Sequence, residues 1–455
     1  MGFLEKIYDK SPIFFQNIMC SAKGYSQFQE RYGGYYRRYR EYFKNFDSKP
    51  LEYQKKVQNK KLIAFIKYAV EKSPFYADLY KDIDLDSIRS VDDLKKLPII
   101  EKETLRSNID QVVTISKRDA LIGHTGGTTG KSLVVRSTVR DNQERMAMLD
   151  HFKSRVGFEH LKMKRATFSG KHIVPPGQKK KIFWRYNASC KQMIYSSFHL
   201  TEENMKYYVE SLNKFKPQAI DGFFTCMCDV AGYIERKGMK LTFQPIAIFP
   251  TSETLTRSGR ELLERVFNCK VYDQYASSEG APFVTECPNQ TLHMELASGV
   301  FEHMNEDDTE ILVTSFTTHG TPLIRYRIGD RMAFPSERTC ACGLCGPIVD
   351  EIQGRRLDYL YTTEGAKINA GNVSNIVKNL PNSVIRTQFI QDTMNEVKVL
   401  LEVDKGLFEE KQLTALRDEL THKLGKDMNL KIEVVDEIPR ETSGKFRMIK
   451  NSVRM

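Results

Sequence analysis

The spacing of hydrophobic residues divides the chain into stretches with different predicted elements. Between residues 27 and 72, Phe and Leu recur at helical intervals among Tyr, Arg, Gln and Lys, which predicts mostly helix. From about residue 120 to 335, short apolar runs alternate with amphipathic stretches; the clearest examples are the runs 247–249, 271–275 and 311–314 and the amphipathic stretch 255–267. Strands that alternate with helices are typical of a layered α/β sheet.

After Gly354 the pattern predicts a compact C-terminal unit of its own. A strand is predicted at 396–403, and a second at 430–435. Between them lies a helix whose apolar positions are Leu413, Leu416, Leu420 and Leu424. Gly425 follows the last periodic leucine, a position where glycine commonly ends a helix in a left-handed cap. We therefore predict a small α+β domain of about 100 residues.

The composition is that of a soluble globular protein. The 455 residues are 40% hydrophobic and 11% aromatic, enough for a large core. No run approaches the roughly 18 to 20 apolar residues that span a bilayer. Charged residues interrupt the first 21 residues, unlike a secretory signal, and Lys6 stands where a myristoylation motif needs Ser or Thr. We expect a cytoplasmic location.

The net charge of +11 is spread over separate basic groups, such as those at 37–40, 55–61 and 179–181. A basic excess suits nucleic acid, an anionic membrane surface or polyphosphate substrates. Dispersed groups are also typical of a solvated surface. Because no helix-turn-helix, zinc-finger or RNA-platform pattern accompanies them, we expect no specific nucleic-acid partner, while peripheral membrane contact stays open.

A glycine-rich segment carries the strongest local signal for phosphate binding. It reads His-Thr-Gly-Gly-Thr-Thr-Gly-Lys-Ser over residues 124–132. Its glycines let backbone N–H groups approach phosphate oxygens, and its threonines and Lys131 add hydroxyls and charge. A P-loop is excluded because only three residues separate Gly126 from Gly130, and Thr125 occupies the required glycine position. A structural turn between two strands is the alternative.

Four further segments follow this loop in order. They are Tyr-Asp-Gln-Tyr-Ala-Ser-Ser-Glu at 272–279, Arg-Tyr-Arg-Ile-Gly-Asp at 325–330, Gly-Arg-Arg-Leu-Asp at 354–358 and Pro-Arg-Glu-Thr-Ser-Gly-Lys at 439–445. The first reads as a strand end that opens into a loop, a favoured place for a site in an α/β sheet. The carboxylate of Asp330 can accept two hydrogen bonds from a vicinal diol. Its dipeptide Gly-Asp is otherwise common in surface turns.

Together these segments resemble the motifs of the adenylate-forming superfamily, which includes acyl-CoA synthetases, peptide-synthetase adenylation domains and luciferases. The resemblance covers about 90% of the chain in motif order, and it departs from the family at Ser132, where Pro is common, and at Ala276, where Gly is usual. It implies that ATP phosphates bind the loop residues Thr125, Gly126, Gly127, Thr128, Thr129, Gly130 and Lys131.

The resemblance also assigns roles to the other segments. It implies that Tyr275 stacks on adenine, Glu279 binds Mg²⁺ and acts in catalysis, and Asp330 grips the ribose. Lys445 is implied to stabilise charge at the α-phosphate as the catalytic residue. The remaining nucleotide-binding residues of these motifs are Ser277, Ser278 and Arg355, and the hinge is Asp358.

The implied architecture is α/β, with an N-terminal adenylation domain over 1–354 and a small α+β lid domain over 355–455. The first 115 residues or so form a helical region of the larger domain. The short chain, the segment Ser11–Asn17 and the segments 196–200 and 322–327 resemble the phenylacetate-CoA ligase and CapK branch. CapK-like proteins are associated with capsule and surface polysaccharide assembly, which names no substrate.

Four residues form a candidate zinc site. Nine cysteines without a secretion signal argue against a disulfide framework. Thiolates and an imidazole suit tetrahedral Zn²⁺, and similar sets occur in some phenylacetate-CoA ligase-like enzymes. We therefore predict a structural zinc bound by Cys287, His293, Cys340 and Cys342, with Cys345 as a substitute ligand. Reduced cysteines packed near a turn are the alternative.

The predicted function is ATP-dependent, AMP-forming activation of a carboxylic acid, followed by transfer to a nucleophilic acceptor. Asp221, Phe223 and Phe224 are predicted to line the acid pocket. CoA thiol, an amine and a sugar hydroxyl all stay open as acceptors, and the oligomeric state is not predicted. The alternatives are a nucleotide-binding protein without turnover and a basic protein that binds nucleic acid or membranes.

Overall fold

The computed structural model describes residues 3–124, 133–305, 308–336, 338–355, 359–363, 367–369, 373 and 383–453. The chain forms two compact units assembled from separated segments. The first unit contains Met1–Ala22, Leu161–Val271 and Gln353–Met455, and the second contains Lys23–His160 and Tyr272–Ile352. This grouping does not test the predicted boundary between residues 354 and 355, which stays a prediction.

The α-helices of the described residues are α1 (Phe3–Lys10), α2 (Ile13–Ser26), α3 (Phe28–Tyr32), α4 (Gly34–Asp47), α5 (Leu51–Lys72), α6 (Pro74–Leu79), α7 (Lys102–Ser107), α8 (Ile109–Val112), α9 (Val139–Ser154), α10 (Glu202–Phe215), α11 (Phe224–Arg236), α12 (Arg257–Phe267) and α13 (Lys411–Leu424). Short 3₁₀ helices lie at Leu85–Ser87, Val91–Lys96 and Ala188–Cys190. None of these helices has the length and hydrophobicity needed to cross a bilayer.

The β-strands of the described residues are β1 (Leu121–His124), β2 (Val134–Ser137), β3 (Arg165–Ser169), β4 (Trp184–Asn187), β5 (Gln192–Ser196), β6 (Ala219–Phe223), β7 (Ala247–Thr251), β8 (Lys270–Val271), β9 (Gln274–Tyr275), β10 (Val284–Glu286), β11 (Leu292–Met294), β12 (Gly299–Asn305), β13 (Asp308–Ser315), β14 (Leu323–Ala333), β15 (Ile348–Val349), β16 (Glu351–Arg355), β17 (Tyr359–Tyr361), β18 (Lys367–Asn369), β19 (Val384–Thr393), β20 (Glu396–Val403), β21 (Asn429–Val435) and β22 (Ile449–Asn451).

The first unit is built on a six-stranded sheet in the order β4-β5-β3-β6-β7-β8. All neighbouring pairs are parallel except β4 with β5. Strands β6 and β7 are almost wholly buried, as expected of a parallel sheet covered on both faces. The core includes Phe168, Ile220 and Ile248 together with Leu212 and Val230 from the helices. The carboxyl ends of four parallel strands, β3, β5, β6 and β7, therefore share one edge.

The C-terminal part of the first unit contains a second, four-stranded sheet in the order β21-β20-β19-β22. Helix α13 packs Leu416 and Leu420 on its strands, where Phe389 and Val399 are buried. The predicted strand at 396–403 and the predicted leucine helix are both confirmed. Gly425 ends that helix with a φ of 103°, but its ψ of 151° lies outside the left-handed helical cap geometry.

The second unit joins helices α3 to α9 with two four-stranded sheets and the β1-β2 hairpin. The sheet orders are β15-β11-β10-β9 and β12-β13-β14-β16. One core holds Leu62 and Phe65 of α5 against Phe316, Ile311 and Tyr326. Helices α1 to α8 precede the first strand, in agreement with the predicted helical region.

The run at 271–275 contains parts of two short strands that belong to different sheets. Residues 270–271 form β8, at the edge of the six-stranded sheet, whereas residues 274–275 form β9, which pairs with β10. The backbone N–H of Asp273 donates to the side-chain carboxylate of Glu286 in β10 at 2.8 Å, and its carbonyl accepts the backbone N–H of Glu286 at 3.0 Å. The polar residue Asp273 lies in the break, and hydrophobicity alone does not show which sheet each flanking strand joins.

Candidate functional site

The predicted phosphate-binding loop connects two paired strands. β1 and β2 are antiparallel, and His124 is opposite Val134 at the end of their ladder. The seven predicted ligands, residues 125–131, lie outside the described residues.

In the second unit the structure brings together the two residues predicted to hold adenine and ribose. The hydroxyl of Tyr275 donates to Oδ2 of Asp330 at 2.7 Å. Both residues are 8% exposed, and the ring of Tyr275 makes an edge contact with Phe301. The hydrogen bond fixes the direction of the carboxylate, which is what recognition of a diol by Asp330 requires.

Glu279 is buried and paired with a lysine that the motif did not predict. Its side chain is 1% exposed, and Nζ of Lys102 lies 3.0 Å from Oε1. Ser278 donates to Oε2 at 3.3 Å. Ser277 instead accepts the N–H groups of Gly280 and Ala281, so its hydroxyl holds the turn after Glu279.

Arg145 fixes the same turn from helix α9. Its Nη1 donates to the carbonyls of Gly280 and Ala281, both at 2.9 Å, and its guanidinium lies 4.4 Å from the ring centroid of Phe283. Burial lowers the pKa of Arg145 to about 10. This value keeps Arg145 charged at neutral pH, so the backbone after Glu279 stays hydrogen-bonded to a cation.

The donor set around Glu279 is compatible with Mg²⁺. This cation commonly takes one protein carboxylate and completes its shell with phosphate oxygens and water. Glu279 supplies the carboxylate, although Lys102 already neutralises it in this structure. A bound Mg²⁺ would therefore share or replace the interaction with Lys102.

The four predicted zinc ligands lie together in the second unit. The ligand atoms of Cys287, His293, Cys340 and Cys342 all lie within 4.8 Å of one another. Sγ of Cys287 is 3.6 Å from Sγ of Cys340, and Sγ of Cys342 is 3.5 Å from Nε2 of His293. Cys345 is outside this group, with its thiol directed to the carbonyl of Gly343.

These separations suit a tetrahedral metal. Zn–S bonds of about 2.3 Å and Zn–N bonds of about 2.0 Å place tetrahedral ligand atoms roughly 3.5 to 3.8 Å apart. Nδ1 of His293 lies 2.8 Å from the carbonyl of Gly346, which can only accept, so Nδ1 carries the proton. The lone pair of Nε2 is therefore available toward the thiol of Cys342, as in metal-bound histidines whose other ring nitrogen donates to a backbone carbonyl.

In the first unit the loop that carries Lys445 meets the carboxyl edge of the six-stranded sheet. Nζ of Lys445 lies 5.8 Å from the ring centroid of Phe223, the last residue of β6. A Cβ atom on Gly170, just after β3, would clash with the carbonyl of Ser443, and one on Gly444 would clash with Ser197, just after β5. Only glycines permit this close approach.

A buried ionic network fixes the same loop. Arg386 of β19 donates to Oδ2 of Asp229 at 2.7 and 3.1 Å, and its other nitrogen donates to Glu402. Arg440 donates to the same Asp229 oxygen. Burial lowers the pKa of Arg386, but its ion pairs, led by that with Asp229, outweigh burial and raise it.

Glu253, just after β7, holds the other side of the loop. Its carboxylate accepts the backbone N–H of Phe446 at 3.2 Å and that of Thr225 at 2.8 Å. Burial raises the pKa of Glu253. Lys445 therefore lies between two anchors in the first unit: Arg440 is held by Asp229 of α11, and Phe446 by Glu253 after β7.

The predicted acid-pocket residues have different surroundings. Asp221 accepts hydrogen bonds from Arg165 and Thr167, and Phe224 is buried in the core. Phe223 is half-buried and faces Lys445. The pocket stays a prediction.

Arg355 lies on β16, and Asp358, the predicted hinge, lies outside the described residues.

Comparison with known proteins places the chain in a family. A model of the CapK C-terminal domain matches residues 360–452. Protein CapK of Staphylococcus aureus is 37% identical over 458 residues, which cover 99% of this chain and all of that protein. The chain belongs to the CapK family. The predicted family membership is thereby confirmed.

The chain is also similar to two CoA ligases, to one in sequence and to the other in fold. Phenylacetate-coenzyme A ligase of Thermus thermophilus is 22% identical, over 90% of this chain and 98% of that protein. A crystal structure of 2-hydroxyisobutyryl-CoA ligase in the postadenylation state superposes with a TM-score of 0.71 at 16% identity, covering 90% of this chain and 91% of that one. The predicted α/β fold of the adenylate-forming superfamily is confirmed.

Sequence reasoning missed several residues that hold the site. Lys102, Arg145, Asp229 and Arg386 belong to no motif quoted above, and each acts across a long sequence separation, such as 157 residues between Asp229 and Arg386. A charged residue outside any motif is usually solvated, so its residue type and its position in the sequence do not indicate such a contact. Arg440 was visible because it belongs to the C-terminal motif.

Proposed function

We propose that this CapK-family protein is an ATP-dependent, AMP-forming ligase that activates a carboxylic acid. The observation that carries the proposal is the hydrogen bond between Tyr275 and Asp330, which joins two motifs 55 residues apart. The superfamily uses these positions for adenine and ribose. The full-length likeness to two CoA ligases supports the same reaction class.

In the proposed first step, a carboxylate oxygen of the acid attacks the α-phosphorus of ATP. The bond from that phosphorus to the bridging oxygen breaks, pyrophosphate leaves, and an acyl-adenylate forms. Residues 125–131 would hold the phosphates, Asp330 the ribose, and Arg355 would lie near the ribose. Lys445 would neutralise the negative charge that builds on the pentavalent phosphorus.

Mg²⁺ bound at Glu279 would neutralise phosphate charge in this step. The chain's own contribution there is a buried carboxylate whose turn is fixed by Arg145 and Ser277. Zn²⁺ held by Cys287, His293, Cys340 and Cys342 would brace the second unit, because four protein ligands leave no open position for chemistry.

In the proposed second step a nucleophile attacks the acyl carbonyl and AMP leaves. CoA thiol would give a thioester, an amine an amide, and a hydroxyl an ester. The likeness to CoA ligases supports the thiol, whereas the CapK association with surface polysaccharide favours an amine or hydroxyl. In the family a rotation of the lid admits the second nucleophile, and we propose Asp358 as its pivot.

The proposal is tested by ATP–pyrophosphate exchange with a panel of carboxylic acids. An adenylating enzyme incorporates labelled pyrophosphate into ATP only when its acid is present. A CapK-family protein that binds ATP but exchanges no label with any acid would instead fit the alternative, a nucleotide-binding protein without turnover. Release of AMP with CoA or with amines then identifies the acceptor.

A further inference from the structure

Polar side chains of helix α2 contact strand β4 within the first unit. Gln16 is 1% exposed and accepts a hydrogen bond from Nε of the fully buried Arg185 at 2.7 Å. Asn17 accepts the backbone N–H of Tyr186 at 2.9 Å, and Ser21 donates to the carbonyl of Tyr186 at 3.2 Å. These bonds attach one face of α2 to strand β4.

On the side of α2 away from Gln16 and Asn17, apolar side chains are exposed. Phe14 is 69% exposed, Phe15 55% and Ile18 48%, and Ile7 of α1 is 43% exposed. The two phenylalanine rings contact each other edge to face, with centroids 5.7 Å apart. A surface helix of a globular protein normally buries its apolar stripe, so this orientation is reversed. We call Ile7, Phe14, Phe15 and Ile18 the apolar N-terminal surface.

A basic segment lies beside these helices. Residues 170–183 contain Lys171, Lys179, Lys180 and Lys181 and no acidic residue. The hydroxyl of Tyr8 in α1 donates to the carbonyl of Ile173. Arg185, which donates to Gln16 of α2, also donates through Nη1 to the carbonyl of Ile182 at 3.2 Å. The lysine-rich segment is therefore adjacent to both helices.

We propose that the apolar N-terminal surface and this segment dock on an anionic lipid bilayer. Exposed aromatic and aliphatic side chains enter the boundary between headgroups and acyl chains, and lysines are attracted by anionic headgroups. With 8 and 14 residues, α1 and α2 are too short to span a bilayer, so the contact is peripheral.

A second copy of the chain is a poorer match for the surface. Four partly exposed side chains bury at most a few hundred Å². A stable interface needs roughly 800 Å² from each partner. The lysines would also repel the same lysines of a second copy.

The test is flotation of the full-length protein with vesicles of phosphatidylcholine that contain phosphatidylglycerol. Wild type should float with these vesicles, should bind less in high salt, and should bind weakly to pure phosphatidylcholine. Phe14→Ser combined with Phe15→Ser should weaken partitioning at least about tenfold, because two buried phenyl groups are lost. Lys179→Gln combined with Lys180→Gln should weaken binding to the anionic vesicles.

Leu407→Ser is the matched control, because Leu407 is 49% exposed in the same unit and belongs to neither feature. It should float like wild type. Equal flotation of the control and the double Phe variant would overturn the proposal, as would failure of wild type to bind anionic vesicles. If light scattering shows that wild type is a dimer and the double Phe variant a monomer, the surface would instead mediate self-association. These outcomes do not depend on ligase activity.

Discussion

Arg386 donates two hydrogen bonds to a single carboxylate oxygen of Asp229, at 2.7 and 3.1 Å, with both side chains less than a tenth exposed. The two residues come from different parts of the first unit, helix α11 and strand β19. Arg440, five residues before Lys445, donates to the same oxygen. The network therefore connects helix α11 and strand β19 to the loop that carries Lys445.

Asp229→Asn should loosen this loop. The change leaves Arg386 and Arg440 buried with less countercharge, and breaking a buried pair costs about 3–5 kcal/mol. Hydrogen exchange should therefore speed up at the amides of Ile438 and Phe446, which donate to Glu402 and Glu253. Asp404→Asn breaks the more exposed pair with Lys237 and should leave both amides protected. Equal protection in both variants would contradict the anchoring role.

Lys102→Gln should make the protein more dependent on Mg²⁺. Without Lys102 the buried carboxylate of Glu279 loses its cationic partner, so the melting temperature should fall in the absence of Mg²⁺. Adding Mg²⁺ with ATP should then raise the melting temperature more than it does for wild type, because the cation replaces the lost charge. Lys81→Gln removes an exposed pair and is the control. An Mg²⁺ effect equal to that of wild type would exclude Glu279 as the ligand.

Cys340→Ser should remove bound zinc. Purified wild type should contain one zinc per chain by atomic absorption, and loss of one thiolate from a four-ligand site should lower the metal content and the melting temperature. Cys345→Ser alters a neighbouring thiol outside the cluster and should keep the metal. Zinc-free wild type, or loss of zinc in both variants, would contradict the assignment of the four ligands.

Glu253→Gln should flatten the dependence of stability on pH. Burial raises the pKa of Glu253 above its ordinary value of 4.5, so the folded state binds this proton more tightly than the unfolded state. Its stabilising contribution is present below about pH 4.5 and is lost as the pH rises through the higher folded pKa.

The measurement is urea unfolding at a series of pH values from 4.5 upward. The free energy of unfolding of wild type should fall relative to that of Glu253→Gln as the pH rises. Glu433→Gln, which alters an exposed pair with Lys398, should follow wild type. A constant difference between wild type and Glu253→Gln would show that Glu253 does not titrate differently in the folded state.

The sequence predicted best those elements whose pattern of apolar residues lies within one short segment. The leucine spacing of α13 and the alternation in β20 need no information from elsewhere in the chain, and both elements were predicted at their observed places. The cysteine and histidine set was also visible, because the ligand types are rare and grouped. The structure adds that the proton of His293 resides on Nδ1, which depends on Gly346.

What the sequence did not show depends on contacts between distant segments. The break between β8 and β9 reflects the choice of sheet, which hydrophobicity does not encode. The pairing of Glu279 with Lys102 joins residues 177 positions apart. From the sequence alone, such charged residues are expected to lie on the solvated surface, and only the fold shows that they pair.

The central claim is that Lys445 stabilises the transition state of adenylate formation. The most direct test is the rate of ATP–pyrophosphate exchange in Lys445→Ala, with Lys405→Ala as an exposed control that alters only the pair with Asp436. Exchange should fall at least about a hundredfold in Lys445→Ala, with an unchanged melting temperature, and should persist in the control. Exchange at the wild-type rate in Lys445→Ala would contradict the account.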